Sequence, residues 1–328
     1  MSSFSGIWIP LVTPFSSGVV DQPALRALVA SYVDSGISGF VALGTTGEPA
    51  SLTDAEQREV LATILDAAQG LPVVAGLAGN NTAELHARVA ELNALPLAGL
   101  LVPAPYYVRP SQQGLQTHFT TLADLSEHPL IVYDIPYRTG VRIELQTLLA
   151  LAAHPNIVAI KDCAASIDTT LALIRDGRLS VLAGDDIQFF NTVCLGGHGA
   201  IAATAHLRTH EFVAVWNAVR DGRLDDARDA FHRIVPMIQT LVGEPNPAPV
   251  KAALSIQRRI DPSLRAPMTQ ASEAMFERLR VLFDAPGVDG STADARTAAN
   301  HASGDNAAAA SHNRAPGTTI GERVPVSP

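Results

Sequence analysis

The sequence predicts an α/β fold, a (β/α)8 TIM barrel with a C-terminal helical extension. Three observations carry this expectation. Short β-branched runs alternate with longer amphipathic stretches from the start of the chain, the rhythm of βα units and a parallel sheet. These runs are apolar almost throughout, so both faces of each strand should be buried. Eight such repeats suit a closed barrel, and no G-x-G-x-x-G follows the first run, where an open dinucleotide-binding sheet would place it.

Strands are expected at residues 6–12, 39–43, 72–77, 99–102, 130–133, 157–161, 180–183 and 200–203. Between them the apolar spacing predicts helices at 23–35, 54–69, 83–94, 112–127 and 145–153. Thr53 followed by Glu56 reads as a capping box, and Ser111 as an N-cap. After the eighth strand the pattern is helical only, at 209–220, 224–242, 248–258 and 270–283, broken by a proline-rich stretch at 244–249. The expected organisation is a catalytic barrel at 1–222, a helical extension at 223–284 and a low-complexity tail at 285–328. The tail holds eleven alanines and no Leu, Phe, Tyr, Trp or Met, too little apolar surface to offset ordering entropy, and is expected to be disordered.

Composition narrows the function. The chain has 328 residues, 47% hydrophobic and 17% charged, with a formal charge of −9. An acidic chain without a Lys/Arg cluster argues against a nucleic-acid partner. No apolar stretch approaches the ~20 residues that cross a bilayer, so no membrane association is expected. The first basic residue is Arg26, leaving no charged leader region, and a cytoplasmic location is expected. Two cysteines, Cys163 and Cys194, are too few for a disulfide framework or a cysteine-rich zinc site. His206 and His210 have helical spacing, but no Glu or Cys completes a metal signature, and His198 reads as a packed or turn histidine; neither metal nor cofactor is expected.

Candidate chemistry gathers at strand ends. Thr13, Thr45, Asn80, Tyr106, Tyr133, Lys161, Asp185 and Thr204 each lie at or just beyond the C-terminal end of an expected strand, the face on which barrels build active sites. Only two of the 23 basic residues are lysines, Lys161 and Lys251. Lys161 ends a doubly buried strand, where low dielectric disfavours the ammonium and readies a neutral amine for Schiff-base formation. The plain alternative is an amine that snorkels to water or pairs with Asp162. Lys251, after the proline-rich loop, reads as an ordinary protonated amine.

Four of the five tyrosines, Tyr106, Tyr107, Tyr133 and Tyr137, fall within 32 residues. Tyr133 ends the strand before that of Lys161, so its phenol can relay protons beside an imine. Tyr137 and Tyr106 read instead as packed aromatic rings. Gly44-Thr45-Thr46-Gly47-Glu48 offers backbone amides and two hydroxyls as a cradle for a carboxylate, although many βα turns look similar. Arg138 sets a fixed cation near the same mouth, which in an acidic chain points to an anionic substrate; a solvated arginine is the alternative.

Taken jointly, G-T-T-G-E, P-Y-Y-x-R-P-S (105–111), Y-x-I-P-x-R-T-G (133–140), I-K-D (160–162) and G-D-D (184–186) resemble the dihydrodipicolinate synthase family, within the pyruvate-dependent class I aldolases. L-G-G-H-G (195–199), E-P-N-P (244–247) and P-V-K (249–251) extend the resemblance, which covers residues 6–283. It implies a homotetramer, a dimer of dimers, that condenses pyruvate with L-aspartate 4-semialdehyde to 4-hydroxy-tetrahydrodipicolinate on the diaminopimelate route to lysine. By position it makes Lys161 the imine-forming lysine and Tyr133 the proton donor and acceptor. Thr45 would link Tyr133 to Tyr107 of a neighbouring subunit. Thr46 would hold the pyruvate carboxylate, Ile201 and Gly184 would face the substrate, and Arg138 would take the aldehyde's carboxylate. Asn80, Glu84 and Tyr106 match an inhibitory lysine site, but Asp54, Gln57 and Pro49 depart from strongly inhibited bacterial members, so weak or absent inhibition is expected. Asp134, Asp162 and His206 also depart from the common residues, without removing a catalytic group.

Two other readings remain open in the residues. Another pyruvate-dependent aldolase, such as an N-acetylneuraminate lyase-like or 2-keto-3-deoxy sugar acid enzyme, shares the lysine, tyrosine and cradle; Arg138 in its R-T-G context favours a short acidic aldehyde instead. A keto-acid sensor without catalysis would have been favoured by loss of Lys161, Tyr133 or Thr45, and all three are present.

Overall fold

The computed structural model describes residues 4–284. The expected tail at 285–328 lies outside the described residues. Eight parallel strands close into a barrel. In chain order they are β1 (Gly6–Pro10), β4 (Gly39–Ala42), β5 (Val73–Gly76), β6 (Gly99–Pro103), β7 (Leu130–Asp134), β8 (Ile157–Asp162), β9 (Ser180–Ala183) and β10 (Gly199–Ile201), with β10 pairing back onto β1. Between β1 and β4 a small antiparallel hairpin, β2 (Phe15–Ser16) and β3 (Val19–Val20), turns through Ser17 and Gly18, both at positive φ. The sequence pattern missed this hairpin because two-residue strands carry no periodicity to read.

Period-two alternation sorts the side chains into two cores. Trp8, Val41, Val74, Leu101, Ile131, Tyr133, Ala159, Leu182 and Ile201 fill the barrel interior. Ile7, Ile9, Leu130, Val132, Ile157 and Ile160 point outward into the larger core beneath the helices. Full burial of each such side chain contributes about 1.5–3 kcal/mol. Register then decides chemistry: Tyr133 pairs with Lys161 and Asp134 with Asp162, so neighbouring strands present the phenol and the amine side by side.

The helices follow the expected pattern with shorter ends. The first, α1 (Gln22–Ala30), stops five residues before the expected 35. The Ser31 and Ser35 hydroxyls donate to Leu28 O and Tyr32 O, and short-range backbone bonds tighten the chain into turns. The capping box of α2 (Asp54–Ala67) forms as expected, and Ser111 accepts from Gly114 N at the start of α4 (Gln112–Leu125). Between these two lies α3 (Thr82–Asn93). A single turn, α5 (Pro136–Thr139), follows β7, and α6 (Leu145–Leu151), α7 (Ile167–Asp176) and α8 (Phe189–Cys194) complete the outer layer. Four further helices follow β10: α9 (Thr209–Arg220), α10 (Leu224–Leu241), α11 (Ala248–Ile256) and α12 (Glu273–Asp284).

Candidate active site

A cavity of about 590 Å³ opens at the C-terminal ends of the strands. Lys161 and Tyr133 line it with Thr45, Thr46, Arg138, Gly184 and Ile201. Lys161 shares the inward face of β8 with Ala159 and is only 6% exposed. Its Nζ lies 4.5 Å from the centre of the Tyr133 ring. Burial pushes the amine below the usual lysine range, the direction a nucleophile needs. Asp162 is engaged elsewhere, accepting from Thr170 Oγ1 at 2.5 Å and Ala164 N at 2.9 Å. Among the described residues no ion pair involves Lys161.

Tyr133 is equally buried, and burial drives its phenol well above its ordinary range, so it stays protonated as a donor; a hydrogen bond from the Thr45 side chain acts the other way. Thr45 and Thr46 sit on a single 3₁₀ turn, closed when Gly47 N donates to Gly44 O. Thr13 Oγ1 donates to Gly47 O at 2.7 Å and pins the turn from behind. Arg138 projects from α5 at the exposed rim, its guanidinium 5.8 Å from the centre of the Tyr137 ring.

Gly184 has a steric reason to be glycine. A Cβ there would lie 2.3 Å from Cys163 Sγ, and 2.9 and 3.0 Å from Cγ and Cε of Lys161. The residue thus leaves the space that the lysine stem occupies. Cys163 itself is buried on the inward face beyond Lys161, where its thiol bonds Asp185 and burial holds it protonated.

Four sequence candidates lie elsewhere. Tyr107 is 90% exposed and does not line the cavity of its own chain. Asn80 and Glu84 are exposed near the start of α3, and Tyr106 is exposed after β6; none lines the cavity.

Two expectations need correction. Tyr137 and Tyr106 are not packed rings: Tyr137 is 66% exposed on the cavity rim, on the single turn α5, and Tyr106 is 44% exposed after β6. Lys251 is not an ordinary surface amine. It is fully buried, with Nζ 2.5 Å from Glu48 and donating to Ser263 O at 2.9 Å, and burial lowers its pKa. Helix α11 carries it inward, which the proline-rich loop before it concealed from a local reading.

Sequence reasoning also missed the roof. Leu241, Val242 and the 243–246 stretch line the cavity, and Asn246 Nδ2 donates to Thr46 Oγ1 at 3.0 Å. Asp186 was missed too; it accepts from the Thr204 and Ala203 amides and so ties the segment after β10 to the one after β9. The G-D-D run was a signal for it. No local signal could have placed the roof over the barrel. His206, by contrast, is spent on structure: Val12 N donates to its Nε2 and its Nδ1 faces Ala203 O at 2.9 Å.

Known proteins are similar to this chain along nearly the whole described length. The pattern of the dihydrodipicolinate synthetase family matches residues 3–285. The 4-hydroxy-tetrahydrodipicolinate synthase 2 of Clostridium acetobutylicum is 37% identical over 278 residues, 84% of this chain and 97% of that protein. The 4-hydroxy-tetrahydrodipicolinate synthase of Syntrophus aciditrophicus is 37% identical over 88% of this chain and all of its own length. Among solved structures, the chloride-inhibited dihydrodipicolinate synthase of Acinetobacter baumannii, complexed with pyruvate, superposes with a TM-score of 0.83 at 34% identity, covering 85% of this chain and 97% of that one. With the lysine strand, the threonine turn and the closed barrel all falling inside the matched span, this chain belongs to the dihydrodipicolinate synthetase family.

Proposed function

We propose that the chain is a 4-hydroxy-tetrahydrodipicolinate synthase, condensing pyruvate with L-aspartate 4-semialdehyde. The observation that carries this reading is the buried Lys161 amine against the Tyr133 ring, on the floor of a cavity rimmed by the Thr45–Thr46 turn and Arg138. Lys161 attacks the pyruvate ketone; water leaves and a protonated imine remains. Loss of a C3 proton gives an enamine, whose carbon bonds to the semialdehyde carbonyl while the new alkoxide gains a proton. The substrate's own amine then attacks the imine carbon, closes the ring and frees Lys161. Tyr133 relays the protons, and Thr45 orients its hydroxyl. Thr46 holds the pyruvate carboxylate with the turn amides, beside Gly184 and the Ile201 carbonyl, and Arg138 receives the semialdehyde carboxylate.

The same reading makes the enzyme a cytoplasmic homotetramer. The exposed side chains of Tyr106, Tyr107 and Val108 support a subunit contact at this loop, from which Tyr107 would enter a neighbour's site. Asn80, Glu84 and Tyr106 would line a lysine site there. The deciding experiment is a coupled assay with pyruvate and aspartate semialdehyde, run beside N-acetylneuraminate cleavage. Turnover of the first pair alone supports the reading; preferential sugar-acid cleavage, or pyruvate binding without turnover, overturns it.

A further inference from the structure

The two segments that shape the carboxylate cradle are joined behind it by a buried ion pair. Glu48 ends the threonine turn in the left-handed conformation, φ +55°, uncommon for a residue with a side chain and maintained only where surroundings enforce it. Its carboxylate meets the Lys251 ammonium at 2.5 Å, with both side chains almost wholly removed from water. Phe15 packs on the lysine, its ring centre 4.3 Å from Nζ, and the Arg265 guanidinium lies 4.7 Å from the centre of the same ring. Two buried charges are costly to place, and an ion pair here is a poor choice if the only need is packing.

Position supplies a second need. Asn246, five residues before Lys251, donates to Thr46 Oγ1, two residues before Glu48. The 44–48 turn and the 246–251 segment are therefore tied at two points. The Asn246 bond also engages the Thr46 hydroxyl as an acceptor. With one lone pair accepting from Asn246, its proton is free to be donated into the cavity, toward an anion.

We propose that Glu48 and Lys251 are a positioning pair that holds the Thr46 hydroxyl and the turn amides in register for the substrate carboxylate, without either residue touching substrate. The proposal rests on the pyruvate reading above. Removing one partner leaves a buried charge alone, which shifts the turn against the roof; removing both relieves that charge. The pair must therefore act as a unit, with strongly non-additive effects.

The test compares wild type with Glu48→Gln, Lys251→Met and the double variant, measuring KM for each substrate, kcat, thermal unfolding and borohydride trapping of pyruvate. The expected result is a pyruvate KM raised about tenfold or more in each single variant, with the semialdehyde KM within about twofold. The double variant should be no worse than the worse single one, and it keeps the test open where a lone charge prevents folding. An unchanged pyruvate KM in folded variants overturns the proposal, as do equal losses for both substrates or effects that multiply in the double variant. A wild-type chain that traps no pyruvate overturns the functional reading itself, an outcome distinct from trapping with unchanged KM.

Discussion

At the scale of the residue, Lys161 is the group on which the reading turns. Borohydride with pyruvate should leave one adduct per chain, on Lys161 and not on Lys251, whose amine is buried against Glu48. Peptide mapping decides between them, since the chain has no third lysine. Lys161→Arg should abolish both adduct and turnover, because a guanidinium stays protonated, whereas Tyr133→Phe should keep the pocket and cost roughly 10²–10⁴ in rate. Gly184→Ala tests whether the space beside the lysine matters. Its methyl must displace Cys163 or the Lys161 stem, so kcat should fall by about tenfold or more, and adding Cys163→Ala should restore part of it. Steady-state kinetics on the single and double variants would read this directly. Asp134 makes a prediction of the opposite sign, in stability. Burial pushes its carboxyl up to about 7, and Oδ2 has no partner. A raised folded-state pKa means the native protein prefers the neutral acid, so stability is fully present below the ordinary carboxylate range and is lost as pH rises through about 7. Asp134→Asn should therefore gain in Tm over wild type between pH 5 and pH 8, by at least the ~2 °C that about 1 kcal/mol produces in a chain of this size. A Tm difference that is flat across this range would show that the carboxyl is solvated.

At the scale of the element, the turns after β4 carry more than the strand does. Pro49–Ser51 forms a second 3₁₀ turn directly after Glu48, and Ser51 Oγ donates to Glu48 O. Gln57, on the first turns of α2, donates to Pro49 O at 3.1 Å and Leu52 O at 3.4 Å. Its amide is committed to holding this loop and is not free to meet a ligand. Glu56 is similarly engaged, held down to about 2 by the Arg265 guanidinium and the Thr53 cap. Feedback by lysine should accordingly be weak, with half-inhibition above about 1 mM, near the weak end of specific binding. An inhibition curve with a sub-millimolar midpoint would reverse that. This region also shows what local sequence can convey. Thr53 and Glu56 announced the start of α2 because a capping box is written in four consecutive residues. The five-residue overshoot of α1 arose where serine hydroxyls compete for the backbone, a choice that propensity alone does not settle.

At the scale of the whole molecule, one chain's cavity gathers the proposed catalytic groups except Tyr107, which is exposed and does not line it. If a neighbouring chain supplies it, turnover should depend on assembly. Specific activity should fall on dilution through the concentration at which sedimentation shows dissociation, and Tyr107→Phe should lose activity while keeping its assembly. Constant specific activity in a dissociated chain would remove Tyr107 from the mechanism. Among the described residues no helix is long and apolar enough to cross a membrane.

What the sequence by itself determined follows from short-range physics. Apolar periodicity marked all eight barrel strands, and counting them made Tyr133 and Lys161 neighbours before any coordinate did, because parallel strands with buried faces leave little choice of partner. Glycines and hydroxyls in one run similarly exposed the Thr45–Thr46 turn. What only the tertiary structure decided lies at long separation along the chain. The bond from Asn246 to Thr46 spans 200 residues, and the Glu48–Lys251 pair is slightly more distant. The apolar neighbours of Lys251, Ala248 to Val250 and Ala252 to Leu254, hint at a buried helix, but no local residue names its partner. That partner is set by the closure of the barrel and the descent of α11 onto its mouth, where exclusion of water turns an ordinary lysine and glutamate into a buried pair.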